Sequence, residues 1–446
     1  MADITEIEID LTGNIPAYLL QAANYIQKRL TENNFQCYLV GGSVRNLLIN
    51  KKISDLDFAT DAVPDEIIGL FKHSIPIGIE FGTVLVIYKK ISIEITTFRT
   101  ETDYEDGRRP SKVHFGKSLH EDVIRRDFTV NGMAYDLNKY ILYDHVGGLN
   151  DLKNGIIKTI GNPIERFRED GLRPIRGCRF LAALDFKMDI KTENAIKKSL
   201  DVVSLVAPER FFEEWRKTIK LKNKHIFWQS LKNNGIFEIF FHESVNLIEN
   251  ENLWIELLNL LKITKPKNMG NYAAYFFYFE FFAITKNFII NQENKKQLKT
   301  FFNRIRFPSK QETITFELLQ SPFFILFQNQ KLVNINRIEI KKIISNIEIS
   351  NLFIHIRFIH DILKLHFNNK THYNYFIKII YIIKHILISN EPLYLKDLDI
   401  NGHDLICMGY KGKEVGNILK NLLNLTIEKP EFNNNNILKN YIKNNF

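Results

Sequence analysis

The chain has 446 residues and only three cysteines. Cys37, Cys178 and Cys407 lie far apart, without the close pairs of structural zinc sites or the even sets of a disulfide framework. That usage points to a reducing intracellular compartment, and cytoplasmic residence is the expectation. Long apolar runs are also lacking. The stretch "YFFYFEFFAI" (275–284) is short and carries Glu280, which fits a buried helix and excludes an ordinary membrane span. The opening "MADITEIEIDLTGN" is acidic and has no apolar core of the kind a secretory leader needs. No internal repeat is present, and no intact P-loop: "FGKS" (115–118) has Ser111 where the first glycine belongs. What is present is a hydrophobic content of 45% and a charged content of 25%, the balance of a soluble folded protein long enough for two to four domains. Lysine and arginine exceed aspartate and glutamate, 60 to 51, for a formal charge of +9, which favours a polyanionic partner.

Hydrophobic patterning divides the chain. Residues 15–33 read as an amphipathic helix, "QCYLVGG" (36–42) as a buried strand ending in a glycine turn, and "SVRNLLIN" as a short helix. "SDLDFAT" (54–60) is the next strand, "PDEIIGLFKH" a helix with Pro64 in its first turn, and "GTVLVIYKK" and "ISIEITTFR" two strands joined tightly. A mixed α/β region therefore spans roughly 14–150. After "GNP" (161–163) the pattern becomes helical, and from about 220 the composition shifts to Ile, Phe, Asn and Lys, a bias that base composition of the genome explains as well as function does.

Asp55 and Asp57 stand one residue apart in "SDLDFAT", so a strand would turn both carboxylates to one face. Such a pair repels itself unless a cation intervenes. One reading is a pair of Mg2+ ligands, because Mg2+ takes oxygen donors and commonly pairs one or two carboxylates with substrate phosphates. The other is two solvated charges on a strand edge. "GGSVR" (41–45) weighs on the choice: a strand, the glycines Gly41 and Gly42, and a helix start place backbone N–H groups where an anion can sit, with Ser43 adding a hydroxyl and Arg45 a charge. Glu94, between Ile93 and Ile95, is either a third ligand or a solvent-facing residue.

Taken together, "LVGGSVRNLL", "SDLDFAT", "GTVLV", "IEITTFR", "DGRRPSKVHF", "EDVIRRDFTVNGMAYD", "DHVGGLNDLKNGIIKTIGNP" and "RFREDGLRPIRGCRF" resemble, in that order and over about residues 14–220, the class II bacterial tRNA nucleotidyltransferases and their relatives the bacterial poly(A) polymerases. The resemblance implies an α+β chain: a polymerase-β-like nucleotidyltransferase head (14–148) followed by an all-helical neck (149–225), body (226–385) and tail (386–446). It implies Asp55 and Asp57 as metal-binding residues, Gly42 and Arg45 against a nucleotide triphosphate, Arg126 and Asp127 in a second nucleotide motif, and Asp170, Arg173, Arg176 and Arg179 on a base-reading helix. The family usually has Asp where this chain has Asn46, which accepts hydrogen bonds but balances no charge.

"EDGLRPIRGCR" (169–179) also speaks for itself. Asp170, Arg173, Arg176 and Arg179 recur every three residues, so a helix would set them on roughly one face. An Asp acceptor beside an Arg donor matches the pairing edges of cytosine and adenine and mismatches guanine and uracil. A solvated charged face is the alternative, and Pro174 sits awkwardly inside such a helix.

"RTETDYEDGRRPSKVHF" (99–115) reads as a mobile polar loop and resembles the flexible loop that full-length CCA-adding enzymes use in switching from C to A. "HD" (360–361) lacks the partners of a metal phosphohydrolase, so His360 reads as a helix-surface residue; Trp215 reads as helix packing. In the tail, a glycine turn with Lys411 and Lys413 opens onto a helix and either tracks RNA phosphates or simply faces solvent. The function expected is Mg2+-dependent, template-independent addition of CCA to tRNA from CTP and ATP, without a membrane or an obligate protein partner. Polyadenylation and A-only addition are the alternatives, and a binding-only module is the non-enzymatic one. "IPIGIEFGTVLV" resembles the CCA-adding form rather than the polymerases.

Overall fold

The computed structural model describes residues 5–104, 110–281, 290–324, 336–366 and 370–446. They form two compact units, 1–242 and 243–446.

In the first unit the elements run β1 (Thr5–Glu8), α1 (Ala17–Thr31), β2 (Cys37–Val40), α2 (Gly41–Leu48), β3 (Asp57–Thr60), α3 (Pro64–Leu70), β4 (Ser74–Gly78), β5 (Thr83–Tyr88), β6 (Ile91–Thr97), β7 (Arg99–Tyr104) and β8 (Pro110–Phe115). They continue with α4 (Leu119–Ile124), β9 (Met133–Asp136), β10 (Ile141–Asp144), α5 (Gly148–Lys153), α6 (Pro163–Glu169) and α7 (Leu172–Leu184). Among the described residues, eight of these strands make one sheet in the order β1-β10-β9-β2-β3-β6-β5-β4. β3 and β6 run parallel, with Asp57 opposite Glu94. The other pairings of this sheet are antiparallel. The strands form where Val, Ile and Thr alternate: in β6, Ile93 and Ile95 are buried while Ser92 and Glu94 face out.

α1 packs its Leu19, Ala22, Ala23, Ile26 and Leu30 stripe into the sheet core, which also takes Phe180, Leu181 and Leu184 from α7. Head and neck thus share one core, with Ile226 packed against it from the helix Lys224–Asn233. The sequence-drawn boundaries differ from this arrangement. Those at 148/149, 225/226 and 385/386 fall within α5, the helix Lys224–Asn233 and the helix Lys370–Ile388. Trp215 is fully buried against Trp228 and Phe241, as packing required.

Residues 99–104 and 110–115 are not loop but the paired strands β7 and β8; 105–109, the centre of the expected mobile segment, lie outside the described residues.

The second unit is helical, from Val245–Glu249 through Asn435–Asn445. Glu280 is buried in the helix Met269–Phe281, where its carboxylate accepts from the N–H groups of Asn246 and Leu247; 282–284 of the apolar stretch lie outside the described residues. His360 is not a free surface histidine. It contacts Asp361 and the Tyr373 hydroxyl, each at 3.2 Å, and Asp361 accepts from the Tyr275 hydroxyl. The tail has its own small core of Leu398, Ile400, Leu405, Ile418, Leu422, Leu438 and Ile442. Among the described residues no helix is long and apolar enough to cross a membrane.

Candidate functional site

A cleft of about 920 Å3 opens in the first unit. Gly41, Gly42, Arg45, Asp55, Asp57, Arg126, Asp127, Asp170, Arg173, Arg176 and Arg179 line it, so residues from four separate stretches of the chain meet there. Cations outnumber carboxylates along its wall, which suits a polyanion. α2 begins directly at the end of β2. Gly41 takes φ +67°, a left-handed turn that an L side chain resists, and a Cβ there would lie 3.6 Å from Arg126 Nη1 and 3.8 Å from Asp57 Oδ2. The glycine lets the first turn of α2, whose N–H groups lack intrahelical acceptors, face the cleft.

β3 begins at Asp57, so Asp55 precedes the strand instead of alternating with Asp57 along it. The Ser43 hydroxyl is buried and donates to the Asp55 carbonyl at 3.1 Å. Ser43 therefore tethers the Asp55 segment and does not line the cleft, contrary to its expected place against an anion. Asp57 is half-buried; burial and the neighbouring Asp55 and Glu94 carboxylates push its carboxyl up to about 6, against a smaller opposing pull from Arg126. Hard carboxylate oxygens under mutual repulsion are a donor set that a divalent cation relieves, so Asp55 and Asp57 fit Mg2+. Glu94 stands opposite Asp57 in the sheet with its side chain exposed, and among the described residues no three His, Cys, Asp or Glu side chains converge as a metal site.

A buried polar chain joins the two walls. Arg45 Nη1 donates to Asn131 Oδ1 at 2.6 Å, Asn131 Nδ2 donates to Asp127 Oδ1 at 3.3 Å, and Arg176 Nε donates to Asp127 Oδ2 at 2.8 Å. Asn46 Oδ1 accepts from Arg45 Nε and Nη2. The Arg176 guanidinium, with the Phe128 and Asn131 donors, holds Asp127 down to about 2 despite burial. Because the folded value lies below the ordinary one near 4, the stabilisation is present above about pH 4 and is lost as pH falls toward about 2. Asp127→Asn is expected to cost about 3 kcal/mol at pH 7. The gap from the unsubstituted protein should shrink through that acid window in urea titrations; a pH-independent gap would show that the ion pair is not its source.

The segment Asp170–Arg179 departs from expectation. Asp170 is not on the helix. It is extended, between α6 and α7, with its carboxylate accepting from Leu172 N–H at 3.0 Å and from both Nη atoms of Arg210 at 2.9 Å. Arg173 does not pair with Asp170; its Nη1 reaches Glu169 at 2.5 Å and its Nη2 the Arg125 carbonyl at 3.1 Å. Pro174 is third in α7, within the first turn where no N–H donor is needed, so the helix is undisturbed. Arg176 and Arg179 follow on that helix, and Arg179 pairs with Glu214.

Sequence reading missed Asn131, Phe180, Arg210 and Asp122. Asp122 is fully buried and holds Arg125 and Arg126 by charge-assisted bonds of 2.5–3.2 Å. "EDVIRRD" contained that signal as i,i+3 and i,i+4 pairs. Arg210 is 40 residues from Asp170 and had no local signal. Lys411 and Lys413 belong to the second unit, exposed beside a turn in which Gly409 and Gly412 have positive φ.

A family model described as the poly(A) polymerase head domain matches residues 37–158, and one described as a probable RNA and SrmB-binding site of polymerase A matches 185–247. The chain is 47% identical over 213 residues to a CCA-adding enzyme of Ligilactobacillus salivarius, covering 48% of this chain and 52% of that protein. It is 38% identical over 268 residues to a CCA-adding enzyme of Lactobacillus johnsonii, covering 57% and 67%. The matches thus span about half to two thirds of the length of these relatives. In fold it is similar to the Bacillus stearothermophilus CCA-adding enzyme crystallised with CTP, with a TM-score of 0.71 at 22% identity over 95% of this chain and 97% of that one. It is also similar to the Thermotoga maritima CCA-adding enzyme complexed with tRNA, with a TM-score of 0.63 at 19% identity over 100% of both. At these identities the likeness to the solved structures is one of fold. By its head motifs, its two matching family segments and its sequence relatives, the chain belongs to the family of class II tRNA nucleotidyltransferases and bacterial poly(A) polymerases.

Proposed function

We propose that the protein adds C, C and A to the 3′ end of tRNA without a nucleic-acid template, transferring CMP and AMP from CTP and ATP and releasing pyrophosphate. The observation that carries this reading is the convergence, in one cleft, of Asp55 and Asp57, the α2 start, and the Asp170–Arg173 segment. Asp55 and Asp57 would hold Mg2+, which when bound activates the attacking 3′ hydroxyl and stabilises the leaving oxygen. The negative field of Glu94 beside Asp57 adds to the demand for a cation. The N–H groups opening α2, with Arg45 and Arg126, bind the triphosphate as a multivalent anion. Asp170 retains an acceptor site for the exocyclic amine of cytosine or adenine, and Arg173 offers a donor to the adjacent ring nitrogen. Guanine and uracil present the inverse pattern. Arg210 and Glu169 orient these two side chains through the contacts described above.

The decisive experiment incubates tRNA lacking its last three nucleotides with CTP and ATP, separately and together, and reads product length. CCA addition predicts two added residues with CTP alone, none with ATP alone and three with both. No extension of this substrate, with one A added to a parallel tRNA that already ends in CC, would convert the reading to A-only addition, and a long A ladder to polyadenylation.

Lys411 and Lys413 would follow the tRNA backbone. Lys411→Ala and Lys413→Ala are each expected to lower the slope of log affinity against log salt by about 1, leaving nucleotide selectivity unchanged. An unaltered slope would return these lysines to solvent.

A further inference from the structure

Three guanidinium groups crowd one aromatic ring at the cleft wall. The Cζ atoms of Arg45, Arg176 and Arg179 lie 5.4, 5.5 and 4.2 Å from the centroid of Phe180. The ring lines the cleft with them and is itself only 5% exposed. Buried Phe128 holds it edge-on, with centroids 5.7 Å apart at 79°. Arg176 has a carboxylate partner in Asp127, and Arg179 has one in Glu214. Arg45 is differently placed: its guanidinium donates to the neutral amide oxygens of Asn131 and Asn46. Burial, then the nearby Arg179, depress its pKa to about 10, with Arg176 adding to the repulsion and Asp127 and Asp55 opposing it. Those carboxylates offset part of the repulsion, and a ring face in contact with all three guanidinium groups adds to that offset. The face of an aromatic ring does so through its quadrupole, most effectively where water is excluded.

We propose that Phe180 is a positioning residue for the phosphate-binding arginines: its π face holds Arg45 and Arg179 close together, charged and turned to the cleft. An incoming triphosphate, or free pyrophosphate, then meets a preformed cationic cradle. The inference rests on the reading of the cleft as a nucleoside triphosphate site.

The test replaces Phe180 in the full chain with 4-fluoro-, 3,5-difluoro- and 3,4,5-trifluorophenylalanine, which drain the ring quadrupole at nearly constant volume. Phe180→Leu and Phe180→Tyr accompany the series. Calorimetry with inorganic pyrophosphate, the KM for CTP, the KM for tRNA and the melting temperature are measured on each. Pyrophosphate and CTP binding should weaken stepwise with fluorine number, to about tenfold in the trifluoro variant. The KM for tRNA and the melting temperature of the fluorinated proteins should hold, and Phe180→Tyr should stay within about twofold of the unsubstituted protein. Phe180→Leu should lose about tenfold or more, because it removes the ring altogether. A flat fluorine series in a protein that still binds pyrophosphate and incorporates CMP overturns the role of Phe180 and leaves the functional reading intact. Failure of the unsubstituted protein to bind pyrophosphate or CTP overturns both.

Discussion

Asp57→Asn is expected to abolish CMP and AMP incorporation, by at least about a thousandfold, and Asp55→Ala to do the same. The asparagine keeps the shape of the side chain and removes the charge that would hold Mg2+. Several kcal/mol of transition-state stabilisation then disappear, and each 1.4 kcal/mol is about tenfold in rate. tRNA affinity should persist, since Lys411 and Lys413 are untouched. The Asp57→Asn variant should also melt no lower than the unsubstituted protein in the absence of Mg2+. Asp57 stands among carboxylates that oppose its ionisation, so a neutral side chain relieves repulsion. Pyrophosphate release from CTP and trimmed tRNA is the assay. Turnover near normal in either variant would remove these residues from the mechanism, and a collapse of melting temperature would attribute the loss to folding.

The second large effect concerns choice of base. Asp170→Ala is expected to lower the preference for CTP and ATP over UTP and GTP by about 10- to 100-fold, because a well-placed bidentate pair is worth about 1–3 kcal/mol of discrimination. Total incorporation should fall less than in the Asp57→Asn variant. Arg210→Ala should produce a weaker version of the same defect, since Arg210 fixes the Asp170 carboxylate through two bonds of 2.9 Å without itself standing in for a base-reading group. A selectivity change in Asp170→Ala with none in Arg210→Ala would mean that the Leu172 N–H bond alone orients the carboxylate. Unchanged selectivity in both would remove the protein from the role of template.

Much of this site was legible because its determinants are local. The glycine turn, the carboxylate pair and the arginine spacing each occupy a short stretch. The strands carrying Asp57 and Glu94 are recognisable in sequence, whereas their parallel register is set by the strand order of the sheet. Expectations failed where a local pattern was asked to decide a non-local contact. Ser43 looks like an anion ligand because it opens a helix; its burial against the Asp55 carbonyl makes it a tether instead. Asp170 and Arg173 look like a helical pair at i,i+3; the chain turns between α6 and α7, so Asp170 is extended and meets Arg210. Phe180 looks like another core aromatic, and only its three guanidinium neighbours distinguish it.

The sequence alone therefore determined the α+β head, the helical remainder, the spacing of the carboxylate pair and the basic excess of the chain. These are properties of residue type and short-range period, and a chain carries them in its order. Only the tertiary structure decided which charges neutralise one another. It paired Arg176 with Asp127, Arg179 with Glu214 and Asp170 with Arg210, and left Arg45 to two amides and an aromatic face. Ion pairs and cation–π contacts depend on distances of a few ångströms between residues far apart in the chain, up to 49 positions in these ion pairs and further for Arg45 and Phe180, and only the packing of α2 and α7 around a common core sets those distances.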